Sequence, residues 1–185
     1  MQDYRDFMDD VLVDAETIEK RVAELGAQIS RDYAGEELLV VCLLRGGITF
    51  TADLTRTLTI SHRLDCMSLS SYGVGHYASS GNVRVNLDLM TNIEGLNVLL
   101  VEDIVDSGRT LAHVLEMLRT REPKSLKVCV LLDKKYRREV PVEVNYVGFD
   151  VPDKYVFGYG IDIDERCRHL RFIASADLNK YHKPK

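Results

Sequence analysis

Between Leu38 and Leu44 the chain runs through seven apolar residues without a break. The run is too short for a buried helix, and it fits a strand covered on both faces. Gly46-Gly47 stops it, and a mixed segment to about Leu58 reads as a helix. Further strands are expected at Cys66–Ser70, Asn97–Val101, Leu126–Leu132 and Val144–Phe149. Val83, Val85, Leu87 and Leu89 alternate with polar residues, as in a half-exposed strand. Asp14 can cap a helix whose Ile18, Val22, Leu25 and Ile29 form one apolar stripe. Leu111, Val114, Leu115 and Leu118 form another. Strands alternating with helices predict an α/β fold with a mostly parallel sheet. In such sheets ligands sit past the carboxyl ends of the strands.

The length of 185 residues suits one domain with its own core. The net charge of -5 argues against nucleic-acid binding as the main task. Lys134, Lys135, Arg137 and Arg138 nevertheless lie close together, either as a basic patch or as a solvated turn. Cys42, Cys66, Cys129 and Cys167 form no CxxC pair, which argues against a disulfide framework and a zinc site. No apolar run approaches the ~18 residues of a membrane span, and the polar, acidic start does not resemble a signal peptide. A soluble, cytoplasmic protein is expected, without membrane or nucleic-acid partners. The stretch from Ser71 to Asn82 is long and rich in Gly and Ser, either a lid over a site or a plain hairpin.

After the strand at 97–101 the chain reads Glu102-Asp103-Ile104-Val105-Asp106-Ser107-Gly108-Arg109-Thr110. Residues 107–110 would place several backbone N–H groups at a helix N-terminus, where the dipole favours a phosphate. Gly108 permits close approach, and the Ser107 and Thr110 hydroxyls can donate to phosphate oxygens. Glu102 and Asp103 repel phosphate but can accept hydrogen bonds from sugar hydroxyls. The plain alternative is a helix capped by Asp106 or Ser107 behind a solvated strand end. No GxxxxGK[ST] and no GxGxxG occurs, so neither a Walker loop nor a dinucleotide site is supported.

Val101–Thr110 resembles the PRPP (phosphoribosyl pyrophosphate) motif of the type I phosphoribosyltransferases. The likeness extends to their hypoxanthine-guanine branch. Leu44-Arg45-Gly46-Gly47 resembles its first active-site loop, and Ser71-Tyr72-Gly73 the start of its mobile loop. Val147-Gly148-Phe149, Val151–Val156 and Gly158-Tyr159 resemble its purine-binding hood, with Asp162 and Arg168 at the family's spacing. The resemblance covers about 38 to 175. It implies a Rossmann-like, mostly parallel sheet flanked by helices. The single domain 1–185 would carry a small hood built from the N-terminal segment and about 150–185.

What the resemblance implies for the site follows residue by residue. Glu102 and Asp103 would hold the ribose hydroxyls, and Asp106 would be the acid/base group near purine N7. Asp106, Ser107, Gly108, Arg109 and Thr110 would bind the 5-phosphate. Arg45, Gly46 and Arg168 would contact pyrophosphate, with a cis peptide between Leu44 and Arg45. Lys134 would reach purine O6, with Lys135 as the adjacent competitor. Tyr155 would stack on the base, and the backbone of Val156 would accept from it. Ser71 and Tyr72 would open the mobile loop, and Glu102, Asp103 and Asp162 would serve a Mg2+ ion. Ser107 and Tyr155 stand where many relatives have Thr and Phe.

The implied activity is transfer of phosphoribose from PRPP to N9 of hypoxanthine or guanine in purine salvage, by a homodimer or homotetramer. Adenine should be rejected. Two rivals are a phosphoribosyltransferase for xanthine or a pyrimidine, and an RNA-binding regulator built on the same fold.

Overall fold

A computed structural model describes residues 2–71 and 83–183. A six-stranded sheet forms its centre. The strands are β2 (Leu38–Leu44), β3 (His62–Ser71), β4 (Val83–Leu87), β5 (Asn97–Val105), β6 (Ser125–Asp133) and β7 (Tyr146–Asp150), in the order β4-β3-β2-β5-β6-β7. All neighbours pair in parallel except β4, which lies antiparallel to β3 at one edge.

The unbroken apolar run is central because its two faces are buried by different helices. Leu38 and Val40, with Leu99, Val101, Cys129 and Leu131, pack against α2 (Ala15–Asp32) and α3 (Ile48–Thr57). Leu39, Val41 and Leu43, with Val98, Leu100, Val128 and Val130, pack against α4 (Arg109–Arg119). Successive strand residues thus feed opposite cores, as the period of two requires. Asp14 caps α2 as expected, its carboxylate accepting from the Thr17 N–H at 2.8 Å. The stripe Ile18, Val22, Leu25, Ile29 is buried, at about 1.5–3 kcal/mol for each side chain. On the same helix Arg21 donates to the Val147 and Gly148 carbonyls at 2.8 and 3.1 Å, tying α2 to β7.

Several strands differ in length from expectation. β3 starts four residues before Cys66, because His62 to Asp65 pair with Leu38 to Val41. β5 runs on to Val105, because Ile104 and Val105 pair with Leu132 and Asp133. Leu89 falls outside β4. The one-turn helix α1 (Tyr4–Phe7) and β1 (Met8–Val13) stand where no element is expected.

A second sheet, in the order β1-β9-β8, joins β1 to β8 (Val156–Phe157) and β9 (Ile173–Ala176), all antiparallel. Phe7, Phe157, Ile163, Leu170 and Ala174 form its core, where the Phe7 ring meets Phe157 and Tyr181 at 5.4 and 4.9 Å between centroids. Among the described residues no helix is long and apolar enough to cross a membrane.

Candidate active site

The carboxyl end of β5 carries Glu102 and Asp103 inside the strand, and Asp106, Ser107 and Gly108 turn the chain into α4. Gly108 is the N-cap, with φ 82, and has no side chain of its own to cap this helix. A Cβ on Gly108 would stand 2.6 Å from the Val140 carbonyl oxygen, so the turn has room only for glycine. The Ser107 carbonyl accepts from the N–H groups of Glu139 and Val140 at 2.9 and 3.0 Å, which pins the loop from below. The ladder of α4 opens with the Ala112 N–H donating to the Gly108 carbonyl at 2.8 Å. The N–H groups of residues 110 and 111 precede that bond and are those a helix N-terminus offers to an anion. The Arg109 side chain turns aside to Glu139, 2.7 Å away, so its backbone is the part that faces the loop. The plain alternative is met in part, since the Ser107 hydroxyl accepts from the Arg109 N–H at 3.4 Å.

Asp106 instead faces Lys134. This lysine follows β6, is only 4% exposed, and donates its backbone N–H to the Val105 carbonyl at 3.0 Å. Its Nζ lies 3.2 Å from Asp106 Oδ1, at ion-pair distance but off hydrogen-bond alignment. The rest of the basic cluster points elsewhere. Lys135 reaches Asp150 at 2.8 Å on the surface, Arg137 faces Asp153 at 3.4 Å, and Arg138 pairs with buried Asp133. Each of the four cations therefore has a carboxylate partner, and no open basic patch results. Of the two adjacent lysines, only Lys134 turns inward to the loop.

Glu102 and Asp103 are a close carboxyl pair. Burial pushes both above the usual carboxylate range, and the negative charge of Asp103 drives Glu102 up further. Burial outweighs the hydrogen bonds that favour ionised Asp103, from Glu102 and the N–H groups of Asp103 and Ile104, and the nearby Arg168 charge. A Cβ on Gly46 would collide with the Asp103 carboxylate, so the loop after β2 can close on this acid only through glycine. The peptide between Leu44 and Arg45 is cis, as the resemblance implied.

A cavity of about 410 Å³ gathers Leu44, Arg45, Gly46, Asp103, Asp162 and Arg168. Arg168 is 2.7 Å from Asp162 and donates to the Gly160 carbonyl at 2.8 Å. Arg45 is 2.5 Å from Glu165. The same cavity is lined by Ser68, Leu69, Ser70 and Asn86, none of them expected. For the first three the signal was the carboxyl end of β3, which opens on the same rim as the ends of β2 and β5, whereas Asn86 comes from β4. Half-buried Tyr155 lines a second cavity of about 180 Å³ with Asp162 and Tyr181. Val156 is buried in β8 opposite Ser175, and the Tyr155 carbonyl accepts from the Ala176 N–H at 2.8 Å. A cavity of about 440 Å³ against α2 and α3 is lined by Tyr159 of the expected hood and by Arg168. Ser71 ends β3, whereas Tyr72 and the rest of the expected lid to Asn82 lie outside the described residues.

The arrangement offers backbone donors for one phosphate, acidic acceptors for hydroxyls, and two guanidinium groups for a second anion. A buried lysine beside a carboxylate completes it. Residues 10–166 match the family described as "Phosphoribosyl transferase domain". A hypoxanthine phosphoribosyltransferase of Escherichia coli is 48% identical over 171 residues, 91% of this chain and 96% of that protein. A hypoxanthine-guanine phosphoribosyltransferase of Mycobacterium avium is 44% identical over 179 residues, 94% of this chain and 88% of the other. The crystal structure of a hypoxanthine phosphoribosyltransferase of Staphylococcus aureus superposes with a TM-score of 0.92 at 37% identity, covering 97% of each chain.

Proposed function

Because the chain belongs to the phosphoribosyl transferase family, we propose that it is a hypoxanthine phosphoribosyltransferase of purine salvage. It transfers the 5-phosphoribosyl group of PRPP to N9 of hypoxanthine or guanine, giving IMP or GMP and pyrophosphate. The observation that carries this reading is the pairing of inward Lys134 with Asp106 at the mouth of the α4 phosphate loop. In this reading Lys134 is the oxopurine donor and Asp106 the proton acceptor, side by side next to the sugar phosphate.

The N–H groups and hydroxyls of Ser107–Thr110 bind the 5-phosphate. Glu102 and Asp103 accept from the ribose 2- and 3-hydroxyls, which fixes C1 toward the base. Arg45, the Gly46 backbone and Arg168 hold pyrophosphate. Tyr155 stacks on the purine, the Val156 backbone accepts from its ring, and Lys134 donates to O6. As the C1–O bond of PRPP stretches, purine N9 captures C1 and Asp106 takes up the N7 proton.

Asp103 and Asp162 share one cavity, and Glu102 neighbours Asp103. These hard oxygen donors suit Mg2+. Among the described residues no three metal-binding side chains converge. When bound, the ion supplies positive charge that makes pyrophosphate a better leaving group. The whole chain acts as one domain in the cytoplasm, as a homodimer or homotetramer, with the small sheet as hood.

A PRPP-dependent assay with hypoxanthine, guanine, xanthine, adenine and uracil tests the reading. Hypoxanthine and guanine should turn over. Adenine should be slower by at least about 100-fold, because its amino group leaves the Lys134 donor unpaired. Equal rates with adenine and hypoxanthine would sink it.

A further inference from the structure

Glu165 stands between the two arginines assigned to pyrophosphate. Its Oε1 lies 2.5 Å from Arg45 Nη2 and its Oε2 lies 3.1 Å from Arg168 Nη2, an atom that Asp162 Oδ1 also holds at 2.7 Å. Both arginines line the cavity that also holds Asp103 and Asp162, whereas Glu165 is not in its lining. Its carboxylate therefore occupies the arginines from the rim and leaves the cavity itself open.

The turn that carries Glu165 is an expensive one for this residue. Ile163 and Arg166 exchange two backbone hydrogen bonds of 3.1 Å, leaving Asp164 and Glu165 as the central pair with φ 46 and 64. A tight turn with two positive φ values favours Asn-Gly or Asp-Gly. Asp164 tolerates its place and accepts from the Tyr181 hydroxyl at 2.8 Å. Glycine would suit the second place better than glutamate does. The Glu165 N–H donates to Asp162 Oδ2 at 2.8 Å, a bond that glycine would also make. What only glutamate adds at this position is a carboxylate that reaches Arg45 and Arg168.

We infer that Glu165 is an internal anion that holds Arg45 and Arg168 while diphosphate is absent and competes with it when it binds. The inference rests on reading those two arginines as the pyrophosphate ligands. Glu165 keeps the guanidiniums together at the cavity and lowers their affinity for PRPP and for pyrophosphate. It takes them back as the product leaves. Arg45 and Glu165 are well exposed, so the competition is graded by solvent and salt rather than all-or-none.

The test is calorimetric titration of the full chain with magnesium pyrophosphate. Glu165→Gln keeps the length of the side chain and removes its charge, and Glu165→Gly also suits the turn. Both should bind pyrophosphate about 3–10-fold more tightly than the parent, the scale of two surface ion pairs released. Glu165→Gly should also unfold at the same or a higher temperature. Unchanged or weaker binding by folded Glu165→Gln would overturn the inference. Arg45→Gln and Arg168→Gln separate it from its premise. If both arginine variants weaken pyrophosphate binding while Glu165→Gln fails to tighten it, only the internal anion falls. If neither arginine variant weakens binding, the assignment of the groove falls as well.

Discussion

Lys134 and Asp106 are buried to different depths, and this makes their variants behave differently. Lys134 is almost wholly enclosed, while the Asp106 side chain keeps 45% of its exposure. Replacing Lys134 by Met removes a buried ammonium but strands Asp106 Oδ1, which is itself buried without a hydrogen-bond partner, so the melting temperature should fall. On the proposed reading, the same change removes the charged donor for purine O6. The KM for hypoxanthine should then rise by about tenfold or more, with the KM for PRPP little changed. Steady-state kinetics varying each substrate in turn separates the two values, and a rise in the PRPP value alone would refute the role. Asp106→Asn keeps the shape of the loop but cannot take the N7 proton. Its kcat with hypoxanthine should fall by about 10²–10⁴, and full turnover would remove Asp106 from acid/base work.

The strand-to-helix turn from β5 into α4 is the element on which the site depends. Gly108→Ala forces a Cβ against the Val140 carbonyl at φ 82, at a cost of about 1–3 kcal/mol. Denaturant unfolding should show that loss together with a higher KM for PRPP, whereas a parent-like KM would mean the loop does not hold the 5-phosphate. This turn was legible in the sequence because its parts are contiguous: a buried strand, two acids, then Asp-Ser-Gly-Arg-Thr opening an apolar helix. Contiguity also explains what was not legible. β1 carries exposed Asp9 and Asp10 and becomes a strand only by pairing with β9, where Met8 meets Ala176. Glu165 lies 120 residues from Arg45, and nothing in its neighbours announces that contact. Ser68, Ser70 and Asn86 reach the cavity through the register of β3 and β4, which periodicity alone does not set. The partners of the basic cluster became visible only once β7 and the segment after it had placed Asp150 and Asp153.

At the scale of the whole molecule, the site stores charge that opposes folding. Glu102 sits in the folded protein with its carboxyl well above its ordinary value of 4.5, through burial first and the Asp103 charge second. A carboxyl raised in this way binds its proton more tightly in the folded than in the unfolded chain. Stability from this group is therefore present at low pH. It is lost as pH rises from about 4.5 through the raised folded value. Glu102→Gln removes the titration and leaves a neutral side chain of similar shape. The variant should melt at a higher temperature than the parent at pH 7–8, and the gap should close toward pH 4–5. For a chain of this size each kcal/mol recovered appears as about 2–4 °C. The same variant should bind PRPP more weakly, since it loses an acidic acceptor for the ribose. Melting curves across that pH series, with and without PRPP, read both effects. A gap in melting temperature that stays constant with pH would show that Glu102 is not the titrating group. A lower melting temperature throughout would show that the carboxyl pair supports the fold. The predicted trade, a more stable protein that handles PRPP less well, follows from two acids side by side at a buried strand end if, as proposed, they meet sugar hydroxyls.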